Sequence, residues 1–159
     1  MKKTVLAVTF AILSVLTFNF SASAQGRTIE PRVQRDPILE QDAMKNLEVA
    51  RQYFTTKKAY KAVVLRLDEV IAAYPEFSRM DEVLYLFGIS NLYLFEGKGR
   101  QKIDLAKLSP ADKERFMPER LKEDAVANLS LLVEKFPESD FAKKAKEVLK
   151  TIDPQQASK

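Results

Sequence analysis

Three pairs of adjacent carboxylates, Asp68-Glu69, Asp81-Glu82 and Glu123-Asp124, come nearest in type and spacing to a catalytic arrangement. Two carboxyl groups facing each other across a cleft about 5–9.5 Å apart would serve glycoside hydrolysis, one as acid and the other as nucleophile or base. Sequence neighbours on a helix point about 100° apart and do not face each other. The three pairs therefore read as solvated faces and as first-turn charges that suit the helix dipole. The 159 residues include no His and no Cys. That composition removes thiol nucleophiles, Ser-His-Asp and Cys-His triads, zinc sites of the usual N/S type and haem held by His. The expectation is a protein without catalytic site, cofactor or metal.

Binding chemistry is better supplied. Tyr53, Tyr60, Tyr85 and Tyr93 each join apolar area to a hydroxyl, a combination suited to gripping an extended peptide. Helix packing is the plainer role for each. Tyr53 and Tyr85 are the better groove candidates, because they fall on the first helices of hairpins. Lys98, Arg100, Lys102 and Lys107 form a second candidate surface, within a segment that carries seven basic and four acidic residues between positions 97 and 120. The whole chain, at +4 from 26 Lys+Arg and 22 Asp+Glu, offers no broad polyanion-binding field, so nucleic acid is not an expected partner. Asn128-Leu129-Ser130 matches a glycosylation acceptor but sits in a helical pattern with Leu129 on the core face.

The elements that must position these residues begin with a leader. Lys2 and Lys3 precede an apolar run from Val5 to Phe18 that ends in Ser21-Ala22-Ser23-Ala24, the three parts of a signal peptide cleaved after Ala24. The run is shorter than the ~20 residues that span a bilayer, so any membrane contact is expected to be peripheral. Residues 25–39, with Pro31 and Pro37, read as an extended leader. From Glu40 to Ile152 the apolar spacing is helical. Ala43, Leu47, Ala50 and Phe54 mark a first helix ending near Lys57. Val63, Leu67, Val70 and Tyr74 mark a second, stopped by Pro75. Ser78, three residues before Asp81, reads as the N-cap of a third helix that is apolar nearly all round, and Gly88 within it implies a neighbouring helix too close for a Cβ. Ser109-Pro110 signals a short helix inside the insertion at 97–120. Two further helices end at Pro137 and Pro154, leaving 154–159 as a tail.

An offset of 62 residues superposes Leu67 on Leu129, Val70 on Leu132, Tyr74 on Phe136, Pro75 on Pro137 and Glu76 on Glu138. Each copy presents a small residue, two large ones and an aromatic-Pro-Glu stop, which is the recipe for stacked helical hairpins. Without the insertion the period is near the ~34 residues of tetratricopeptide repeats, giving about two and a half repeats in five main helices. The fold class is thus all-α, a stack of antiparallel hairpins over residues 40–153.

Ala50-Arg51-Gln52-Tyr53-Phe54, the run from Tyr74-Pro75-Glu76-Phe77-Ser78 through Arg79-Met80-Asp81-Glu82-Val83 to Leu86, and Phe136-Pro137-Glu138-Ser139 followed by Phe141-Ala142-Lys143-Lys144-Ala145 carry a family resemblance. In these phrases the chain resembles the tetratricopeptide-like proteins of the bacterial envelope, most closely the BamD-like outer-membrane assembly lipoproteins. The resemblance implies a non-enzymatic scaffold that binds a protein or peptide of the cell envelope and is linked to outer-membrane protein assembly. Members carry a lipidated N-terminal Cys and about five repeats; this chain is shorter and has no Cys. The alternatives are a carboxylate-dependent hydrolase of envelope polysaccharide and a membrane- or wall-surface binder acting through the basic loop. The terminal helix, with Phe141, Ala145, Val148 and Leu149, either caps the stack or forms a homodimer contact. In the insertion Ile103, Leu105, Leu108, Phe116 and Met117 interleave with the charges. The segment is therefore expected either to be the functional element, folding back on the scaffold or offering an amphipathic surface to an acidic partner, or to be a solvated, tolerated insertion. In both cases a short turn should replace it without loss of the helical fold.

The expected location is the periplasm or the medium. N-terminal sequencing of the protein recovered from fractionated cells should begin at Gln25. Retention in the membrane fraction with Met1 in place would contradict the signal assignment.

Overall fold

The computed structural model describes residues 36–152; the expected signal peptide, most of the leader and the tail lie outside these described residues. Six α-helices make up the described chain: α1 (Pro37–Gln52), α2 (Tyr60–Ala73), α3 (Met80–Phe95), α4 (Pro110–Arg115), α5 (Pro118–Lys135) and α6 (Asp140–Ile152). A wide π-helical turn, Tyr53–Lys57, extends α1, and a single 3-10 turn, Leu105–Lys107, precedes α4. Helices α1 and α2 form one hairpin, α3 and α5 a second, and α6 half of a third. This is the stack of about two and a half units that the 62-residue repeat implies.

The repeat is visible in backbone geometry. The two helices that end in aromatic-Pro-Glu leave the helical region at the aromatic residue with nearly the same angles, φ −131° and ψ 58° at Tyr74, φ −131° and ψ 53° at Phe136. Pro75 and Pro137 cause this, since proline pushes its predecessor out of the α region. A serine in each following turn then reaches back to the first helix of the same hairpin. Ser78 donates through its hydroxyl to Glu40 of α1, and its backbone N–H lies 3.3 Å from both Glu40 oxygens. Ser139 Oγ donates to Asp81 of α3 at 2.6 Å while accepting from the Phe141 N–H at 3.1 Å, which caps α6.

Three local readings need correction. Ser78 does not cap α3: the residue before that helix is Arg79, whose side chain makes no capping bond, and the Ser78 hydroxyl is committed to Glu40. Helix α1 begins at Pro37, not at Glu40. Asp36 accepts from the Ile38 N–H at 2.8 Å and Pro37 fills the first helical position, where its missing N–H costs nothing. The insertion is not a separate loop either, because Pro118 already starts α5 and Phe116 is only 1% exposed in the core. Ser109 and Pro110 do start the short α4 as their types imply, with Ser109 Oγ accepting from the Asp112 N–H at 3.2 Å.

Helix α3 is the centre. It packs against α2, α5 and α6, and twelve of its sixteen residues are buried. Its closest neighbour is α5: a Cβ built at Gly88 would stand 2.8 Å from Leu129 Cγ, 2.9 Å from its Cδ2 and 3.3 Å from the Ala125 carbonyl oxygen. Leu129 and Ala125 are fully buried. Asn91, also buried, donates to the Phe87 carbonyl at 3.0 Å. Ser90 Oγ is buried with no hydrogen-bond partner among the described residues. Helix α6 closes the stack: Ala142, Ala145 and Leu149 are buried, whereas Lys143, Lys144, Lys146 and Lys150 are exposed. A helix with an apolar inner face and a charged outer one is the physical form of a terminal cap.

Gly88→Ala gains ~1 kcal/mol of helix propensity yet must displace Leu129, so the net change should be a loss of about 1–2 kcal/mol, seen as a lower melting temperature. Ser90→Ala removes an unpaired buried hydroxyl and should leave stability unchanged or raise it by about 1 kcal/mol. A Gly88→Ala variant more stable than the wild type, or a Ser90→Ala variant less stable than it, would contradict this packing.

Candidate protein-binding surfaces

Side chains of α1 and α3 meet at one buried carboxylate. Arg51 Nε donates to Glu82 Oε1 at 2.5 Å and its guanidinium nitrogen to Oε2 at 2.6 Å, a two-pronged pair. Arg79 donates to the same Oε2 at 2.7 Å. The Glu82 side chain is 9% exposed. Hydrogen bonding to Glu82, partly opposed by burial, raises the Arg51 pKa above its ordinary value and keeps the guanidinium charged. Asp81 and Glu82 do stand in the first turn of α3, as first-turn charges should, but they are not a solvated face: Glu82 is clamped by two arginines and Asp81 accepts from Ser139. The sequence signal was present in Arg51 and Arg79, each within a phrase that carries the family resemblance. Nothing in spacing alone pairs residues 31 apart.

The two tyrosines expected to line a groove are both half-buried against the core. Tyr53 sits on the π-helical turn with the Lys57 ammonium 4.8 Å from its ring centroid. Tyr85 packs on Phe141 of α6 at 5.3 Å, and burial raises its hydroxyl pKa. Nearby, Phe54, Tyr60 and Tyr93 form a cluster with centroids 4.9–5.9 Å apart, which joins α2 to α3 beneath the π-helical turn.

The basic candidates lie on a segment tied firmly to the scaffold. Gly99 has φ +96° and packs so tightly that a Cβ there would be 2.7 Å from the Tyr60 ring, and the Arg100 N–H donates to the Lys58 carbonyl at 3.0 Å. Arg115 forms an ion pair with Asp68 of α2. Lys98 and Lys102 come together on the wall of one pocket, which Arg100 and Lys107 do not line. Lys98 pairs with Glu96 at 2.6 Å and stands 5.0 Å from the Tyr93 centroid. Lys102 donates to the Gly97 carbonyl at 3.1 Å. Lys107 pairs with Asp104 at 2.8 Å at the surface. Of the pocket's apolar walls, Ile103, Leu105 and Phe116 belong to the apolar residues interleaved with the basic ones in the sequence, whereas exposed Phe95, at the end of α3, carries no periodic signal.

A second, open groove of about 590 Å³ gathers Asp68, Asp112, Glu114 and Asp124 with Arg115 and Arg120. Its four carboxylates make it a place where the carboxylate-dependent alternative can be examined. Asp68 is neutralised by Arg115, and Asp124 lies 3.2 Å from Arg120. Burial raises the Asp124 pKa although Arg120 opposes the shift. Each of these two carboxylates thus faces an arginine within the groove.

No helix among the described residues is long and apolar enough to cross a membrane. Stacked antiparallel hairpins with a capped end and no strand among the described residues define a tetratricopeptide-like scaffold. The family model for YfiO, an outer membrane lipoprotein, matches residues 37–159, and the chain belongs to that family. This agrees with the BamD-like resemblance carried by the phrases at Arg51, Tyr74 and Phe136. No curated protein and no solved structure matches the chain.

Glu82→Gln takes the carboxylate charge from half-buried Arg51 and exposed Arg79 and should lower stability by about 2 kcal/mol, measured by denaturant unfolding. The raised pKa of Asp124 means that its charged form opposes folding. The wild type should therefore lose stability relative to Asp124→Asn as pH rises through the carboxylate range, and the gap should vanish in acid. A gap that widens in acid would contradict the burial of Asp124.

Proposed function

We propose that this protein is a non-enzymatic, exported scaffold of the bacterial cell envelope that binds another envelope protein in the service of outer-membrane protein assembly. Family membership over residues 37–159 carries the proposal, because the matched region is the whole stacked-hairpin body. Repeat scaffolds of this type act by presenting fixed side chains to a partner, and the clamp at Glu82 fixes α1 to α3 for that purpose. Two surfaces are offered. One is the set of first helices bearing Tyr53 and Tyr85; the other is the inserted segment with Lys98, Arg100, Lys102 and Lys107. Half-burial of both tyrosines favours the second.

Export rests on the leader from Lys2 to Ala24 and on the family's envelope setting. The 159 residues contain no cysteine that could carry the family's lipid. A homodimer through α6 is the less favoured arrangement, since its apolar face is already used in capping the stack.

Replacing the insertion by a short turn is not a clean test, since it would remove Phe116 from the core. Affinity purification of the tagged mature protein from envelope extract is cleaner. It should recover one envelope protein in near-stoichiometric amount, and recovery should fall steeply with added salt. Recovery of no partner at any ionic strength would overturn the proposal.

A further inference from the structure

Between the C-terminal end of α3, the start of α5 and the inserted segment lies a pocket of about 220 Å³. Leu94, Phe95, Ile103, Leu105, Phe116 and Leu121 supply its apolar walls, while Lys98, Gln101 and Lys102 supply its polar lining. No carboxylate lines it. Glu96, paired with Lys98 at 2.6 Å, is the acidic group beside it. The volume is below the ~300 Å³ at which small-molecule sites begin, so it fits one bulky side chain better than a cofactor. Phe95 is 42% exposed and Met117 44% exposed, the apolar surface that a bound segment would cover.

The walls are held in place before any partner arrives. Phe116 is 1% exposed, with the Lys61 ammonium 5.1 Å from its ring centroid, and the Asp68–Arg115 pair anchors the segment to α2. An ammonium group has three N–H donors, so Lys98 and Lys102 keep donors beyond the single oxygen each one contacts. Charge separates this pocket from the open groove, where four carboxylates face two arginines and an acidic segment would be repelled.

From this arrangement we infer that the pocket receives one bulky apolar side chain, Phe or Leu, from a protein segment whose flanking residues are Asp and Glu. The inference rests on the scaffold reading and names the chemistry of its partner. The anchor fills the Phe95–Phe116 pocket, and the flanking carboxylates meet Lys98 and Lys102 at the rim. A lone pocket of this kind gives modest affinity with strong salt dependence.

The test titrates the mature protein with fluorescent twelve-residue peptides of Asp, Glu, Ser and Gly around a central Phe. Control peptides carry Ala at the centre, or Asn and Gln in place of the acids. The Ala peptide should bind at least ten-fold more weakly, and the neutral peptide should lose both affinity and salt dependence. Lys98→Glu with Lys102→Glu, and separately Phe95→Glu, should each cost ten-fold or more while leaving the melting temperature unchanged, since all three residues are exposed. Equal binding of the Phe and Ala peptides would overturn the inference. So would binding of anionic phospholipid vesicles in place of peptides, or a wild-type dimer that Phe95→Glu dissociates. Capture of an envelope partner that survives both variants would overturn the pocket and leave the scaffold standing. Failure of the wild type to capture any partner would overturn both.

Discussion

Helix α3 has to be covered on almost every side. Its buried residues run around the helix from Met80 and Val83 through Leu86, Phe87 and Ile89 to Leu94, and no single partner can shield such a surface from water. Helix α2 takes one flank, α5 another and α6 a third. The approach of α5 is set by the missing Cβ at Gly88, against which Leu129 lies. Two and a half hairpins are few for a repeat stack, and a nearly all-apolar central helix with a polar-faced cap is how this chain obtains a continuous core from them.

Covering α3 also explains the insertion. Where a tetratricopeptide hairpin would turn within a few residues, this chain spends 22 between α3 and α5. The detour returns Phe116 to the core and sets Ile103, Leu105 and Leu108 against it as partly buried neighbours. Arg115 pairs with Asp68, and the Arg100 N–H caps the Lys58 carbonyl in the left-handed turn that ends the first helix. The segment is therefore a structural part of the scaffold that also carries seven basic against four acidic residues. Binding chemistry placed on such a fixed platform loses little conformational entropy when a partner docks.

Much of this was legible in the residue order. Helix count, the hairpin stops at Pro75 and Pro137, the close approach at Gly88 and the Ser109-Pro110 start of α4 follow from local physics: proline sterics, glycine's missing side chain and serine capping. The family phrases brought the stacked-hairpin class within reach as well. What the sequence hid was long-range. Ser78 looked like a cap because capping is a local rule, yet its hydroxyl is claimed by Glu40, 38 positions away. Glu82 read as a first-turn or solvated charge, and it does stand in the first turn of α3, yet its partners include Arg51 in another helix. Pro37 looked like a breaker, yet with Asp36 accepting from the Ile38 N–H it fills the first position of α1. The interleaved Ile103, Leu105, Leu108 and Phe116 allowed the inserted segment to fold back, but no periodicity announces the pocket it then makes beside Phe95.

The central claim is that this stack works by holding an envelope protein, and contact inside living cells tests it most directly. A photo-crosslinking amino acid at Gln101, on the pocket's rim, should give one discrete adduct with an envelope protein on irradiation. The same probe at Glu134, on the exposed face of α5 outside that pocket, should give none or far less. Discrete adducts at neither position, in cells where the protein is present and folded, would contradict the account.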